Sequence, residues 1–171
     1  KHSKMLAKYK SHNNSLYNRL VELSRNVFFY KKLLLKDNFE TRIILIFIHF
    51  SLIIILFKRK KYIKFPQEIF DNIFLNIEYH IREMGLGDVS VNKKMKTLNR
   101  IFYDILLKLD DPKSDNFKID QKVLKSHFNS DNKFDEENLL KLTSYFHLFY
   151  DFCFELDDDS MLKGRINFKY K

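Results

Sequence analysis

Glycine and proline are scarce in this chain, with 3 and 2 copies among 171 residues. Because these residues mark tight turns, a fold built from many β-hairpins is excluded and long helices are favoured. The single cysteine, Cys153, excludes an internal disulfide and any metal cage built on several thiolates. It lies between Phe152 and Phe154, so we expect a buried and unreactive thiol.

Motifs of catalysis are also missing from the sequence, which has no nucleophile elbow, phosphate-binding loop or H-E-x-x-H zinc motif. Its histidines are scattered, and we expect His49, in an apolar stretch, to be a core residue. His80 and Glu83 stand three residues apart, a spacing more typical of surface neighbours than of a metal site. We therefore predict a non-enzymatic protein without cofactor or metal. The alternative is an enzyme with an unfamiliar pocket around His80, Glu83 and Asp88.

Apolar side chains are abundant, at 45% of the residues, with 18 Phe and 9 Tyr. That content is far above the content of disordered chains. Apolar residues recur at steps of three and four, and no segment shows the alternation of a strand. The sequence predicts an all-α fold, a single helical bundle of about six helices with a buried central hydrophobic helix. We divide it into a basic extension at 1–14, a helical domain at 15–156 and a tail at 157–171.

The central helix is predicted from residues 43–57, the 15 residues between Arg42 and Lys58. At about 1.5 Å per residue they span roughly 22 Å, whereas crossing the roughly 30 Å of bilayer hydrocarbon takes about 20 apolar residues. His49 and Ser51 also interrupt the apolar run. We therefore favour a helix buried in the bundle over a transmembrane span.

Residues typical of helix ends locate the boundaries of the other helices. The first helix is expected from Ser15, with an apolar face that reaches Phe28. The other expected positions are Asp37 as an N-cap, with Glu40 completing a capping box, Pro66 as a first helical residue, Gly85 just after a helix end, Asp88 or Ser90 as an N-cap, and Asp135 as an N-cap.

Positive charge is concentrated at the start of the chain. The net charge is +9, and residues 1–64 hold 15 Lys or Arg against 3 Asp or Glu. The densest group, which we call the basic cluster, consists of Lys58, Arg59, Lys60, Lys61 and Lys64. Such a cluster attracts the phosphates of anionic lipid or nucleic acid. A solvated helix end in a lysine-rich chain is an equally good interpretation.

Residues 82–91, R-E-M-G-L-G-D-V-S-V, combine an Arg-Glu pair, two close glycines and an Asp. We expect a buried turn in which Arg82 and Asp88 satisfy the polar groups of the helix ends. The residues alone favour this architectural role and leave a binding site as the second possibility.

This run resembles the signature of the ubiquinol–cytochrome c chaperone family, L-R-E-M-G-V-G-D-x-S-V. The similarity covers residues 16–109 and departs from the family pattern at Thr41 and at Asp104-Ile105, where the family has glycine and Gly-Arg. Residues 110–171 show no assignable similarity. Further matching positions are Arg25-Asn26, Phe29-Tyr30, Asp37, Arg42, His49, Gln67, Phe70, Asp71, Phe74 and the segment 93–103.

The resemblance implies an all-helical assembly chaperone that binds cytochrome b or another subunit of the cytochrome bc complex, with a small partner protein. It further implies client or partner contacts at Arg82, Glu83, Gly85, Gly87 and Asp88. We expect the basic cluster to meet anionic lipid or ribosomal RNA. The expected location is the cytoplasmic face of the inner membrane in an alphaproteobacterium, or the matrix side of the mitochondrial inner membrane in a eukaryote. The alternative is an RNA- or ribosome-associated module that uses the basic N-terminal third.

Overall fold

The computed structural model describes residues 14–61, 64–128 and 134–171. Within them, β-structure is limited to one isolated bridge between Asp110 and Ile119, which confirms the all-α fold. The predicted basic extension lies outside the described residues, except for Asn14. The elements are α1 (Ser15–Ser24), a π-helical turn (Phe28–Lys32), α2 (Phe39–Arg59), α3 (Gln67–Glu83), α4 (Asp88–Lys108), α5 (Gln121–Phe128), α6 (Glu136–Phe154) and α7 (Asp158–Leu162).

Helix α2 is the centre of the bundle and packs against α1, α4 and α6. By length and composition it could cross a membrane, but 67% of its most apolar window is buried inside the protein. Phe47, Phe50 and Ile53 have no exposed surface. A helix that is apolar on all sides is stable in water only when neighbours cover it. The predicted buried central helix is confirmed.

Two of the predicted helix ends are confirmed. Gly85 follows the end of α3 in the left-handed conformation, with φ of 86°. At the start of α6, the side chain of Asp135 accepts a hydrogen bond from the backbone N–H of Asn138 at 2.9 Å. Gly85 therefore adopts the positive φ that glycine permits, and the carboxylate of Asp135 serves as the acceptor that an N-cap requires.

Two other predicted ends are wrong by one residue. Asn38, not Asp37, is the N-cap of α2, and its side chain accepts from the N–H of Thr41 at 2.9 Å. Asp37 pairs instead with the guanidinium of Arg42. Pro66 is the N-cap of α3 and not its first helical residue. Its extended backbone, with ψ of 124°, places it just outside the helix.

The predicted first helix is shorter than its apolar face suggests, because α1 ends at Ser24 and the chain continues into the π-helical turn. Asn26 explains the break. Its side-chain oxygen accepts from the N–H of Phe28 at 3.0 Å. Asparagine offers the backbone this alternative to a helical bond, so the regular α-helix stops there.

The C-terminal residues contribute to the same core as the helices. Met161, Ile166 and Phe168 are buried. Asp157 is the N-cap of α7, and its side chain accepts from the N–H of Ser160. The division of the chain into extension, domain and tail stays a prediction.

Candidate functional site

The turn between α3 and α4 is built on two glycines with different roles. The N–H groups of Met84 and Gly85 donate to the carbonyls of Ile81 and Arg82 at 3.1 and 3.0 Å, closing the end of α3. Gly87 has φ of −72° and is the N-cap of α4, so the predicted caps Asp88 and Ser90 are wrong. The N–H of Val91 donates to the carbonyl of Gly87 at 3.0 Å and starts the new helix.

The charged residues of this turn pair with one another. The guanidinium of Arg82 contacts the carboxylate of Asp88 across the turn and lies 3.7 Å from Glu78 one helical turn back. These carboxylates raise the pKa of Arg82, Asp88 contributing most through its hydrogen bond. We expected Arg82 and Asp88 to bind the backbone groups of the helix ends. They form an ion pair with each other instead, and this pair links α3 to α4.

The turn is exposed, contrary to our expectation of a buried one. Glu83, Gly85, Gly87 and Asp88 lie at the surface, and Arg82 is partly covered. Three apolar side chains are exposed beside them: Met84 at 52%, Leu86 at 39% and Val89 at 83%. We call residues 82–89 the turn surface. Contiguous exposed apolar groups with a charged rim are typical of protein-interaction sites.

Sequence reasoning missed the three apolar residues of the turn surface. The sequence contained the signal, because Met84 and Leu86 flank Gly85 in a turn too short to bury them. Met84 stands three residues after Ile81 and seven after Ile77, a helical spacing that indicates a core position, whereas Leu86 and Val89 fit no such face. Their exposed fractions in the structure show that all three reach solvent.

The basic cluster does not form one continuous patch. Arg59 donates from Nε and Nη2 to the two carboxylate oxygens of Asp110, both at 2.9 Å. Lys60 donates to the carbonyl of Phe154 at 2.5 Å, and its ammonium lies 4.3 Å from the ring centre of that residue. These two cations hold the end of α2 against other parts of the chain. The ammonium groups of Lys58, Lys61 and Lys64 remain at the exposed surface.

His49 is fully buried among the rings of α6, as expected of a core histidine. Its Nδ1 lies 2.7 Å from the carbonyl oxygen of Leu45 and its Nε2 lies 2.8 Å from the hydroxyl of Tyr145. A carbonyl can only accept, so Nδ1 carries the proton and Tyr145 donates to Nε2. Burial lowers the pKa of His49 to about 3, so the ring is neutral at physiological pH.

The other candidate reactive groups, Cys153 and His80, have surroundings that give them a structural role. Burial raises the pKa of Cys153 to about 12, which keeps the thiol protonated. His80 stacks on the ring of Phe39 at 6.0 Å between centres. Within the described ranges, no group of three or more His, Cys, Asp or Glu side chains is arranged to hold a metal ion.

Comparison with models of protein families shows which family the chain belongs to. A model described as "Ubiquinol-cytochrome C chaperone" matches residues 31–168. The chain belongs to the ubiquinol–cytochrome c chaperone family. The match contains the whole turn surface and also extends through α5 and α6, where the sequence alone showed no resemblance. The C-terminal half therefore belongs to the family domain as well.

The fold of this family member is similar to a solved structure, the crystal structure of the Cbp3 homologue from Brucella abortus. The TM-score is 0.66 at 21% sequence identity, over 99% of this chain and 97% of that chain. At this identity the likeness shows a shared fold, including the helices of the C-terminal half. A search of curated proteins found no match to the chain.

Proposed function

We propose that this family member is a non-enzymatic assembly chaperone of the cytochrome bc complex, which holds newly made cytochrome b through the turn surface. Family membership is the observation that carries the proposal. The described geometry supports it, because residues 83–90 of the family-like run lie exposed and present apolar groups. A client that is itself a membrane protein offers complementary apolar surface before it is assembled.

The proposed position of the protein is peripheral to the inner membrane, on the cytoplasmic side in a bacterium or the matrix side in a mitochondrion. The exposed ammonium groups of Lys58, Lys61 and Lys64 support this proposal, since each cation near an anionic leaflet adds about 1 kcal/mol of attraction. A small partner protein and other bc-complex subunits are further proposed contacts.

The RNA- or ribosome-associated alternative has less support. Stacking on single-stranded bases requires exposed aromatic rings. Among the described aromatic residues, Tyr103 and Phe154 are the ones with large exposed fractions, at 47% and 43%. Phe154 is also contacted by the ammonium of Lys60. Steep salt dependence of RNA binding would be the signature of the alternative.

The test is affinity purification of the tagged full chain from its native membranes, with mass spectrometry of the co-eluting proteins. The double substitution Met84→Asp with Val89→Asp places two charges on the turn surface. We expect it to reduce recovery of cytochrome b about tenfold or more, the effect of losing one interface hot spot. Circular dichroism should show an unchanged helical fold, since both side chains are largely exposed.

A matched control carries Leu140→Asp and Leu148→Asp, which are 59% and 50% exposed on α6. Recovery of cytochrome b should be close to wild type with this control. Equal recovery with all three proteins would contradict the role of the turn surface. Ribosomal proteins and RNA without any bc-complex subunit would favour the alternative function.

A further inference from the structure

A pocket of about 330 Å³ opens where the end of α2 meets the start of α3 and the second half of α4. Ile54 and Phe57 of α2 form one wall. Phe65 and Phe70 form the second, and Leu106 of α4 forms the third. The pocket is separate from the turn surface, which lies at the opposite end of α3, and from the buried His49.

Aromatic packing fixes the shape of the walls. The ring of Phe65 packs edge-on against Phe57 and Phe50, at 5.2 and 5.5 Å between centres. Phe70 lies 5.8 Å from Phe50 and 5.6 Å from Phe102. Rings held on several sides do not swing into the space between them, so the pocket is preformed for a ligand.

Two of the polar residues that line the pocket carry positive charge. Lys58 and Lys64 contribute to its lining, and both side chains belong to exposed residues. Gln67 also contributes, but its amide donates to the carboxylate of Asp71 at 2.8 Å. Of the described residues that line the pocket, two carry a positive charge and none carries a negative one. The site is apolar inside and cationic at its exposed rim.

We propose that this pocket binds a single acyl chain of an anionic lipid, with the headgroup at Lys58 and Lys64. An apolar interior beneath a cationic rim complements an amphiphile whose one end is charged. The volume is at the low end of the roughly 300–1,000 Å³ typical of ligand pockets, which suits one narrow chain. Methylene groups buried there leave water, which stabilises the bound chain.

The surface beside the pocket fits the same ligand. Tyr103 and Leu107, one helical turn apart on α4 and flanking Leu106 in sequence, are exposed at 47% and 78%. The ammonium of Lys61, in the turn after α2, adds a third exposed cation. A chain-sized apolar pocket with cations at its rim favours a lipid drawn from a membrane over a free phosphate. The inference deepens the proposed membrane position without depending on the identity of the client.

The test is calorimetric titration of the purified full chain with dodecanoate below its micelle-forming concentration. We expect one binding site. Dodecyltrimethylammonium has the same chain length and the opposite charge, and it should bind at least about tenfold more weakly. Equal binding of the two amphiphiles would overturn the role of the lysines, and absence of dodecanoate binding would overturn the pocket itself.

Substitutions test the charged rim and the apolar walls of the pocket separately. Lys58→Glu with Lys64→Glu should weaken dodecanoate at least about tenfold, while Lys96→Glu with Lys122→Glu, two exposed lysines elsewhere, should leave it unchanged. Leu106→Trp should block the pocket, and folding is checked by circular dichroism. Equal loss with both charge pairs would indicate non-specific attraction and contradict the proposal. Because purified protein and free dodecanoate are used, failure here is distinguishable from failure of bc-complex assembly in cells.

A second measurement uses the absence of tryptophan from the chain. Phe65→Trp introduces a single tryptophan in the pocket wall, which can be excited selectively over the tyrosines, and Tyr170→Trp introduces one far from it. A brominated dodecanoate should quench the first reporter strongly and leave the second unchanged. Equal quenching of both would place the acyl chain outside the pocket and overturn the proposal.

Discussion

At the residue scale, His49 combines a titratable ring with complete burial in the centre of the bundle. Four aromatic residues surround it edge-on, and its two nitrogens are satisfied by Leu45 and Tyr145. A neutral imidazole with both partners costs little to bury, whereas an imidazolium there would lose its hydration and its hydrogen bond from Tyr145. His49 therefore fixes how α2 and α6 meet, provided the ring stays neutral.

The folded protein should lose stability as the pH falls below the usual histidine range. The pKa of His49 is about 3 in the folded state and about 6.5 when unfolded. Between these values the unfolded chain binds the extra proton, so the free energy of unfolding decreases with falling pH. From about pH 7 to about pH 5 the contribution is roughly 2 kcal/mol.

Denaturant titrations at a series of pH values measure this effect in the wild type and in His49→Gln. The variant should be less stable near neutral pH and should show a flatter dependence on pH. Tyr145→Phe is the companion variant, because it removes the donor to Nε2 and keeps the titrating ring. Parallel pH profiles for wild type and His49→Gln would contradict the assignment.

The three glycines should differ sharply in their tolerance of alanine. A Cβ at Gly164 would stand 2.5 Å from the carbonyl oxygen of Ser15, at a positive φ of 71°. A Cβ at Gly85 would meet open space, but the backbone there has a positive φ. At Gly87 the space is also open and φ is negative. We expect losses of unfolding free energy of more than about 2 kcal/mol at Gly164, about 1 at Gly85 and about 0.5 at Gly87. Thermal unfolding of the three variants gives the order, and a different ranking would refute the account.

At the element scale, the segment 164–171 binds along α1 as an extended strap. Arg19 donates from Nε to the carbonyl of Ile166 at 2.6 Å and from Nη2 to the carbonyl of Phe168 at 2.9 Å. Asn26 donates to the carbonyl of Tyr170 at 3.2 Å. These alternate residues face the bundle, while Asn167 and Lys169 are exposed. The side chains of Arg19 on α1 and Asn26 just after it thus bind the backbone carbonyls that a neighbouring strand would bind.

Removal of one anchor of this strap should destabilise the whole domain. Phe168 is 9% exposed and packs on Tyr145 and Phe149, at 5.6 and 5.5 Å between ring centres. Phe168→Ala should lower the unfolding free energy by about 3–5 kcal/mol. Lys169→Ala, next to it and exposed, should change stability by less than about 0.5 kcal/mol. Comparable losses in both variants, measured by denaturant unfolding, would argue against a core role for Phe168.

The elements differ in how far the sequence could predict them. Helix α2 was predictable, because a long apolar run with only one histidine and one serine is most stable as a buried helix in a helical protein. The boundary at Asp37 failed because two neighbouring residues, Asp37 and Asn38, can both cap, and Arg42 decides between them. The strap could not be predicted, because its alternation extends over too few residues to be distinguished from chance.

At the scale of the whole molecule, the candidate site was only partly predictable. Resemblance indicated residues 82–91, but their exposure, and the exposure of Met84 and Val89, depends on how α3 and α4 are oriented. The basic cluster was read as five equivalent cations, yet Arg59 reaches Asp110, which is 51 residues away along the chain. Contacts between distant segments are invisible to local patterns. Client binding and membrane binding are therefore proposed at two separate surfaces.

The most direct test of the central claim is the level of assembled cytochrome bc complex in membranes of a strain that lacks the gene. Reduced-minus-oxidised difference spectra report haem-bearing cytochrome b, and native gels report the assembled complex. We expect both to fall strongly in the deletion strain and to return with the wild-type gene, but not with Met84→Asp and Val89→Asp combined. Normal spectra and normal complex in the deletion strain would contradict the proposal that this protein is an assembly chaperone of the bc complex.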